Sequence, residues 1–101
     1  MLVAFSVAPA AGDESGSVAA AVAAAVQVVR ESGLPHETTS MFTTVEGEWD
    51  EVFDVVKRAT DAVVAVSPRV SLVLKADIRP GFTGQLQAKV ARVEEILSGG
   101  Q

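Results

Sequence analysis

Met41-Phe42-Thr43-Thr44-Val45-Glu46-Gly47-Glu48-Trp49-Asp50 passes from an extended pattern directly into the start of an amphipathic helix. The wider run His36 to Glu48 lacks helical periodicity and is rich in Thr, so it reads as two short strands joined by a tight turn or bulge near Ser40 to Phe42. Two successive strands in the middle of the chain rule out a simple alternation of strand and helix. The same stretch brings a carboxylate, a glycine and the only tryptophan to one strand–helix junction, where polar groups are held rigidly at the rim of a core.

Upstream, Leu2 to Ala8 is rich in β-formers and ends in the turn-forming Pro9-Ala10-Ala11-Gly12-Asp13. From Ser17, a suitable N-cap, Val18, Val22, Val26 and Val29 recur at helical spacing, with Ala on the close-packed side. Gly33 and Pro35 then stop the helix. Downstream, Trp49-Asp50 opens a helix whose stripe is Val52, Val56, Ala59, Val63 and Val66, widened by Phe53 and ended by Ser67-Pro68. From Arg69 the chain alternates: Val70, Leu72, Leu74, Ala76 and Ile78 on one face, and Arg69, Ser71, Val73, Lys75, Asp77 and Arg79 on the other. Pro80-Gly81 breaks that strand, Thr83 can cap, and Leu86, Val90, Val93 and Leu97 mark a last helix.

The order β-α-β-β-α-β-α, with right-handed crossovers, predicts an α+β fold in one domain spanning residues 1–101. This is a ferredoxin-like split βαβ sandwich with a four-stranded antiparallel sheet, both crossover helices on one face and an additional C-terminal helix. The second sheet face, which carries Lys75, Asp77 and Arg79 beside apolar positions, then needs a cover: the last helix, a ligand or a partner subunit. A homodimer through sheet faces or edges, or a homotetramer, is expected. Lys75, Asp77 and Arg79 would form an ion-pair ladder across it; with a phosphate-bearing ligand, Arg79 and Lys75 would instead be the anion donors.

Composition narrows the functions. Of 101 residues, 49% are hydrophobic but only 5% are aromatic, so the core is built from small branched side chains, a kind of core often completed by oligomerisation. A net charge of −5 argues against nucleic acid, whose binding requires clustered Lys and Arg, and against an anionic membrane surface. The Ala/Val run from Val18 to Val29 is shorter than the roughly 20 apolar residues of a membrane span. The absence of cysteine excludes disulfides and thiolate chemistry and fits a cytoplasmic protein. The apolar start Met1 to Ala11 has no basic residue ahead of it and reads as a strand rather than a signal peptide.

Catalysis is not expected. The chain has one histidine, His36, no tyrosine, no asparagine, no Gly-x-Ser-x-Gly element and no phosphate-cradling glycine loop. The acidic cluster Glu46, Glu48, Asp50, Glu51 and Asp54 lacks calcium-loop spacing, and Asp50 and Glu51 suit a helix N-terminus instead, so neither a metal nor a cofactor is expected. Binding candidates remain. Glu46-Gly47 is either a bulge with a solvated carboxylate or a ligand group. Trp49 is either an interface anchor or a ligand platform, and Thr43, Thr44 and Ser6 are either plain strand residues or hydroxyl donors.

Ser6-Val7-Ala8-Pro9, the helix Val18 to Gly33-Leu34, the stretch Met41 to Val52 with Thr-x-x-Glu-Gly at Thr43 to Gly47, Arg69-Val70 through Asp77-Ile78-Arg79, and Lys89-Val90 with Val93 together resemble the thiamine-binding protein family. The resemblance spans essentially the whole chain and implies a ferredoxin-like fold, two- or four-subunit oligomers, no catalysis, and binding of thiamine or its hydroxymethylpyrimidine portion. Phe42 departs from the pattern, standing where a small residue is expected before the Thr. An aminopyrimidine needs a carboxylate and hydroxyls, for which Glu46, Thr43 and Ser6 are the candidates. A thiazolium is drawn to aromatic faces and acidic surroundings, for which Trp49 or Phe42 and the overall acidity of the chain are the candidates; Asp77 is a further ligand-binding candidate. The alternative is an oligomeric structural or regulatory module that senses another small metabolite.

Overall fold

The computed structural model describes residues 1–10 and 18–99, with every side chain among them except that of Lys89. The elements are β1 (Leu2–Pro9), α1 (Ala19–Glu31), β2 (His36–Thr38), β3 (Thr43–Glu46), α2 (Trp49–Val64), β4 (Val70–Asp77) and α3 (Gln85–Gly99). All strand pairs are antiparallel and lie in the order β2-β3-β1-β4. This is the split βαβ arrangement with a third helix, as the element order requires. The expected Ser17 cap and the turn from Ala11 to Asp13 lie outside the described residues.

The thin core comes from two periods meeting. β1 buries every second residue, Val3, Phe5 and Val7. The register sets Val45 and Thr43 of β3, and Ala76, Leu74 and Leu72 of β4, on the same side. Against this face α2 lays Val52, Val55, Val56, Ala59 and Val63. Val55, not Phe53 or Val66, widens the stripe. The helix ends at Val64, leaving Val66 68% exposed, and Phe53 turns outward to stack on Trp49 at 5.2 Å between centroids.

Helix α1 corrects the expected valine stripe. Its buried residues are Ala21, Ala25 and Val29, four apart, while Val18 and Val22 are exposed and Val26 is half-buried. Alanine on the inner face lets α1 approach α2 and the sheet closely, and Val18 and Val22 are left to one side. α1 has no side-chain N-cap bond, since Val18 occupies that position. On the solvent face of α2, Lys57 bonds Asp61 (2.8 Å) and Arg58 bonds Asp54 (2.9 Å). The Asp61 hydrogen bond holds the Lys57 ammonium above the ordinary lysine value of 10.5, so the pair is intact at neutral pH and is lost only as pH rises past that value.

Two junctions fix the ends of β3 and β4. At Gly47 the backbone carbonyl accepts from the Met1 ammonium (2.8 Å) and its N–H donates to Met1 O (3.1 Å). A Cβ there would sit 3.2 Å from Val52 Cγ2, so glycine permits the strand to turn into α2 at close range. After β4, Phe82 N–H returns to Arg79 O (3.2 Å) across Pro80 and Gly81, the latter at φ 82°, a type II turn with proline and glycine in their preferred places.

Helix α3 leaves most of its expected stripe uncovered. Leu86 is half-buried, but Val90, Val93 and Leu97 are 57, 55 and 69% exposed, because α3 packs on β3 only around its first turn. The sheet face beneath it, with Ala4, Ser6 and Ala8 of β1 and Val73, Lys75 and Asp77 of β4, has no helix among the described residues packed along it.

Candidate functional site

Strand lengths create the site. β1 has eight residues and β3 only four, and their pairing stops at Phe5↔Thr43. β1 continues to Pro9 paired only with β4. Backbone groups of an antiparallel strand point alternately to its two neighbours. Ala10 N–H bonds Arg69 O (2.8 Å) on the β4 side, whereas Met1 exchanges bonds with Gly47 on the β3 side. Odd-numbered residues of β1 therefore face β3, and Val7 presents its N–H and C=O toward a place where no described strand residue pairs with it. Hydrogen-bonding groups in such a position call for a partner.

The gap beside Val7 is a cavity of about 150 Å³ lined by Phe5 to Ala8, by Val22, Ala25, Val26 and Val29 of α1, and by Thr38 to Thr43. The β2–β3 turn closes one end. Thr39 N–H bonds Phe42 O (2.9 Å), and the Thr39 hydroxyl donates to the same carbonyl at 3.1 Å. Thr38 and Thr43 lie opposite each other on the helix-facing side, their hydroxyls 3.4 Å apart, with Thr43 buried. The half-buried Phe42 and the α1 valines form apolar walls. The arrangement is a small apolar slot with a backbone donor and acceptor on one edge and two hydroxyls near the other. It suits a planar ring bearing both donors and acceptors.

The six candidate residues divide between two ends of the sheet. Thr43 and Phe42 both line the cavity, Thr43 with its buried side chain on the helix-facing side. Ser6 borders it through the backbone, because Phe5 and Val7 point to the helices and the Ser6 side chain therefore points to the open face. Glu46, Trp49 and Asp77 stand at the far end of β3. Leu2 pairs with both Glu46 and Asp77, at the opposite end of the β1–β3 pairing from Thr43. Glu46 is 7% exposed, and its carboxylate accepts the N–H groups of Gln85 (2.8 Å) and Leu86 (3.2 Å). It is thus the N-terminal cap of α3, supplied from 39 residues upstream in place of the expected Thr83. Trp49 lines a separate cleft of about 140 Å³ with Met1, Glu48, Ile78 and the Arg79–Phe82 turn. Asp77 lies in a crevice with Met1, Leu2, Arg79, Phe82 and Gln85.

Sequence reasoning missed the Val7 backbone and Thr38. A buried valine carries no sign that its peptide group is unpaired; only the register discloses it. Among the described residues, no group of three or more His, Asp or Glu side chains is placed to hold a metal ion, and no helix is long and apolar enough to cross a membrane.

Comparison with known proteins gives the fold its relatives. A UPF0045 protein of Mycobacterium bovis is 52% identical over 99 residues, covering 96% of this chain and 94% of that protein. The structure of a Bacillus cereus domain of unknown function, DUF77, superposes with a TM-score of 0.79 at 37% identity over 90% of this chain and 86% of that one. A Thermotoga maritima protein whose name refers to thiamine biosynthesis or salvage superposes with a TM-score of 0.78 at 28% identity, over 91% and 96% of the two chains. The model of the family described as thiamine-binding protein matches residues 3–94, and the chain belongs to that family.

Proposed function

We propose that the protein is a cytoplasmic, non-catalytic binder of thiamine or its hydroxymethylpyrimidine moiety, with the aminopyrimidine seated in the gap beside Val7. The observation that carries this reading is the Val7 peptide, which has no pairing partner among the described residues, facing the slot between β1 and α1. Its N–H donates to a ring nitrogen while its C=O accepts from the exocyclic amine, as a strand partner would. A pocket of about 150 Å³ accommodates one six-membered ring, so the thiazolium extends toward the mouth, where the chain's net charge of −5 favours a cation. Membership of the thiamine-binding protein family and the salvage-related neighbour support the ligand class.

Calorimetry with thiamine and with the free hydroxymethylpyrimidine tests the reading. Both are expected to bind saturably, and Thr43→Val, nearly isosteric, to weaken both by roughly ten-fold through loss of one hydroxyl contact. A flat titration of folded wild-type protein, or undiminished affinity in Thr43→Val, would sink it.

The protein is further proposed to act as a homodimer or homotetramer. Its accessible surface is 6725 Å², against about 5,400 Å² for a compact monomer of 10.5 kDa. Its radius of gyration is 15.5 Å, against roughly 13 Å for 100 residues. Val90, Val93, Ile96 and Leu97 of α3 and Val73 of the uncovered sheet face are exposed apolar side chains that a partner subunit would cover. Sedimentation should show an oligomer, and Val90→Glu with Leu97→Glu should shift it toward monomer with the domain's thermal midpoint otherwise kept. A monomeric wild type at micromolar concentration would refute the assembly.

A further inference from the structure

The turn Arg79–Phe82 holds a stacked cation–aromatic pair that lies outside the proposed pyrimidine slot. The Arg79 guanidinium carbon lies 3.6 Å from the centroid of the Phe82 ring. A guanidinium stacked by its face keeps its N–H donors directed outward in its own plane, the geometry that grips a phosphate or carboxylate in bidentate fashion. The Pro80-Gly81 turn, closed by Phe82 N–H to Arg79 O, fixes the two side chains relative to each other.

Three depressions meet at this pair. On one side is the Trp49 cleft, with Glu48, Ile78 and Met1. On another, a groove of about 550 Å³ runs along α3, lined by Arg79, Phe82, Gln85, Ala88, Arg92 and Val93. Between them is the small crevice that includes Asp77. In a chain of net charge −5 the α3 groove is lined, among the described residues, by two arginines and no carboxylate. Arg92 has an acidic neighbour in Glu95, at 3.8 Å on the exposed helix surface, a contact long enough to yield to a better acceptor. By contrast Lys57 and Arg58 are held by Asp61 and Asp54 at 2.8 and 2.9 Å. Beside the arginines stand two half-exposed aromatic rings, Trp49 at 53% and Phe82 at 46%.

We infer that this region is a second binding site, for a phosphate monoester of a planar heteroaromatic: the ring lies in the Trp49–Phe82 cleft and the phosphate is held by Arg79 and Arg92 across the α3 groove. It is separate from the Val7 slot, which lies at the other end of β3. Because α3 is anchored through Glu46, occupation of the groove by a ligand bound to Arg92 would also hold α3 against the sheet.

Trp49 is the only tryptophan, so its emission reports on this site alone. The intact protein is titrated with adenosine monophosphate and with thiamine monophosphate, each beside its unphosphorylated parent and inorganic phosphate. At least one monophosphate is expected to quench Trp49 saturably, and to bind at least ten-fold more tightly than its parent. Arg92→Gln, an exposed substitution that leaves the fold intact, is expected to weaken that binding by roughly ten-fold. No quenching by either monophosphate, equal quenching by the parents, or full affinity in Arg92→Gln would each overturn the assignment. Thiamine bound only in the Val7 slot would give heat without quenching Trp49, so failure here and failure of the pyrimidine site are told apart by the two readouts.

Discussion

Phe5→Ala is expected to lower the unfolding free energy by about 3–5 kcal/mol. Phe5 is 3% exposed, is the one aromatic ring in the buried core among the described residues, and packs in a cluster made otherwise of valine and alanine. Such small side chains cannot move far enough to fill the space of a lost ring, so the cavity term is retained nearly in full. Against a typical total of roughly 5–15 kcal/mol, the loss brings a domain of this size close to its unfolding threshold. Urea denaturation followed by circular dichroism measures it; a change under about 1 kcal/mol would show that the core rearranges around the gap. Phe5 also lines the cavity beside Val7, the proposed pyrimidine site, so whatever fraction remains folded should bind thiamine more weakly.

Glu46→Ala is expected to release α3. The carboxylate is the recipient of two helix N-terminal N–H groups, and hydrogen bonds to a charged acceptor contribute about 1.5–3 kcal/mol each. Beyond its first turn α3 has little other packing within the chain, so the loss should appear locally. Amide exchange of residues 85–99 should accelerate by roughly two orders of magnitude or more while β1 and α2 keep their protection. Glu46→Gln, which retains an acceptor oxygen but not the charge, should fall between. Unchanged exchange in α3 would mean that contacts beyond the chain hold the helix. Pyrimidine binding should survive Glu46→Ala, because the slot lies at the other end of β3; loss of thiamine affinity in a protein whose β1 and α2 remain protected would place Glu46 back among the ligand groups.

These two substitutions mark where the sequence was and was not legible. The alternating residues of β1 and β4 and the amphipathic stripe of α2 identify their elements because each buries one face, and burial leaves a period in the residues. The break at Gly47 and the turn at Pro80-Gly81 are legible for a different reason: backbone geometry there favours particular residues. Glu46 stands out in the sequence as a special carboxylate, but its partner lies 39 residues away, and no local pattern joins a strand-end acid to the start of a distant helix.

What the sequence by itself determined is the set of elements, their order, the antiparallel four-stranded sheet and the family resemblance, since these follow from periodicity, turn chemistry and short motifs. Tertiary structure alone decided which end of the sheet each candidate residue occupies. Thr43 and Trp49 are six positions apart, yet β3 carries them to different cavities. Ala21 and Ala25 with Val29, rather than the run Val18, Val22 and Val26, form the inward face of α1, because close packing favours the smaller residue. Above all, the Val7 peptide became a candidate ligand group only because β3 stops short of it. An unpaired backbone is a property of the register between two strands, and no side chain encodes it.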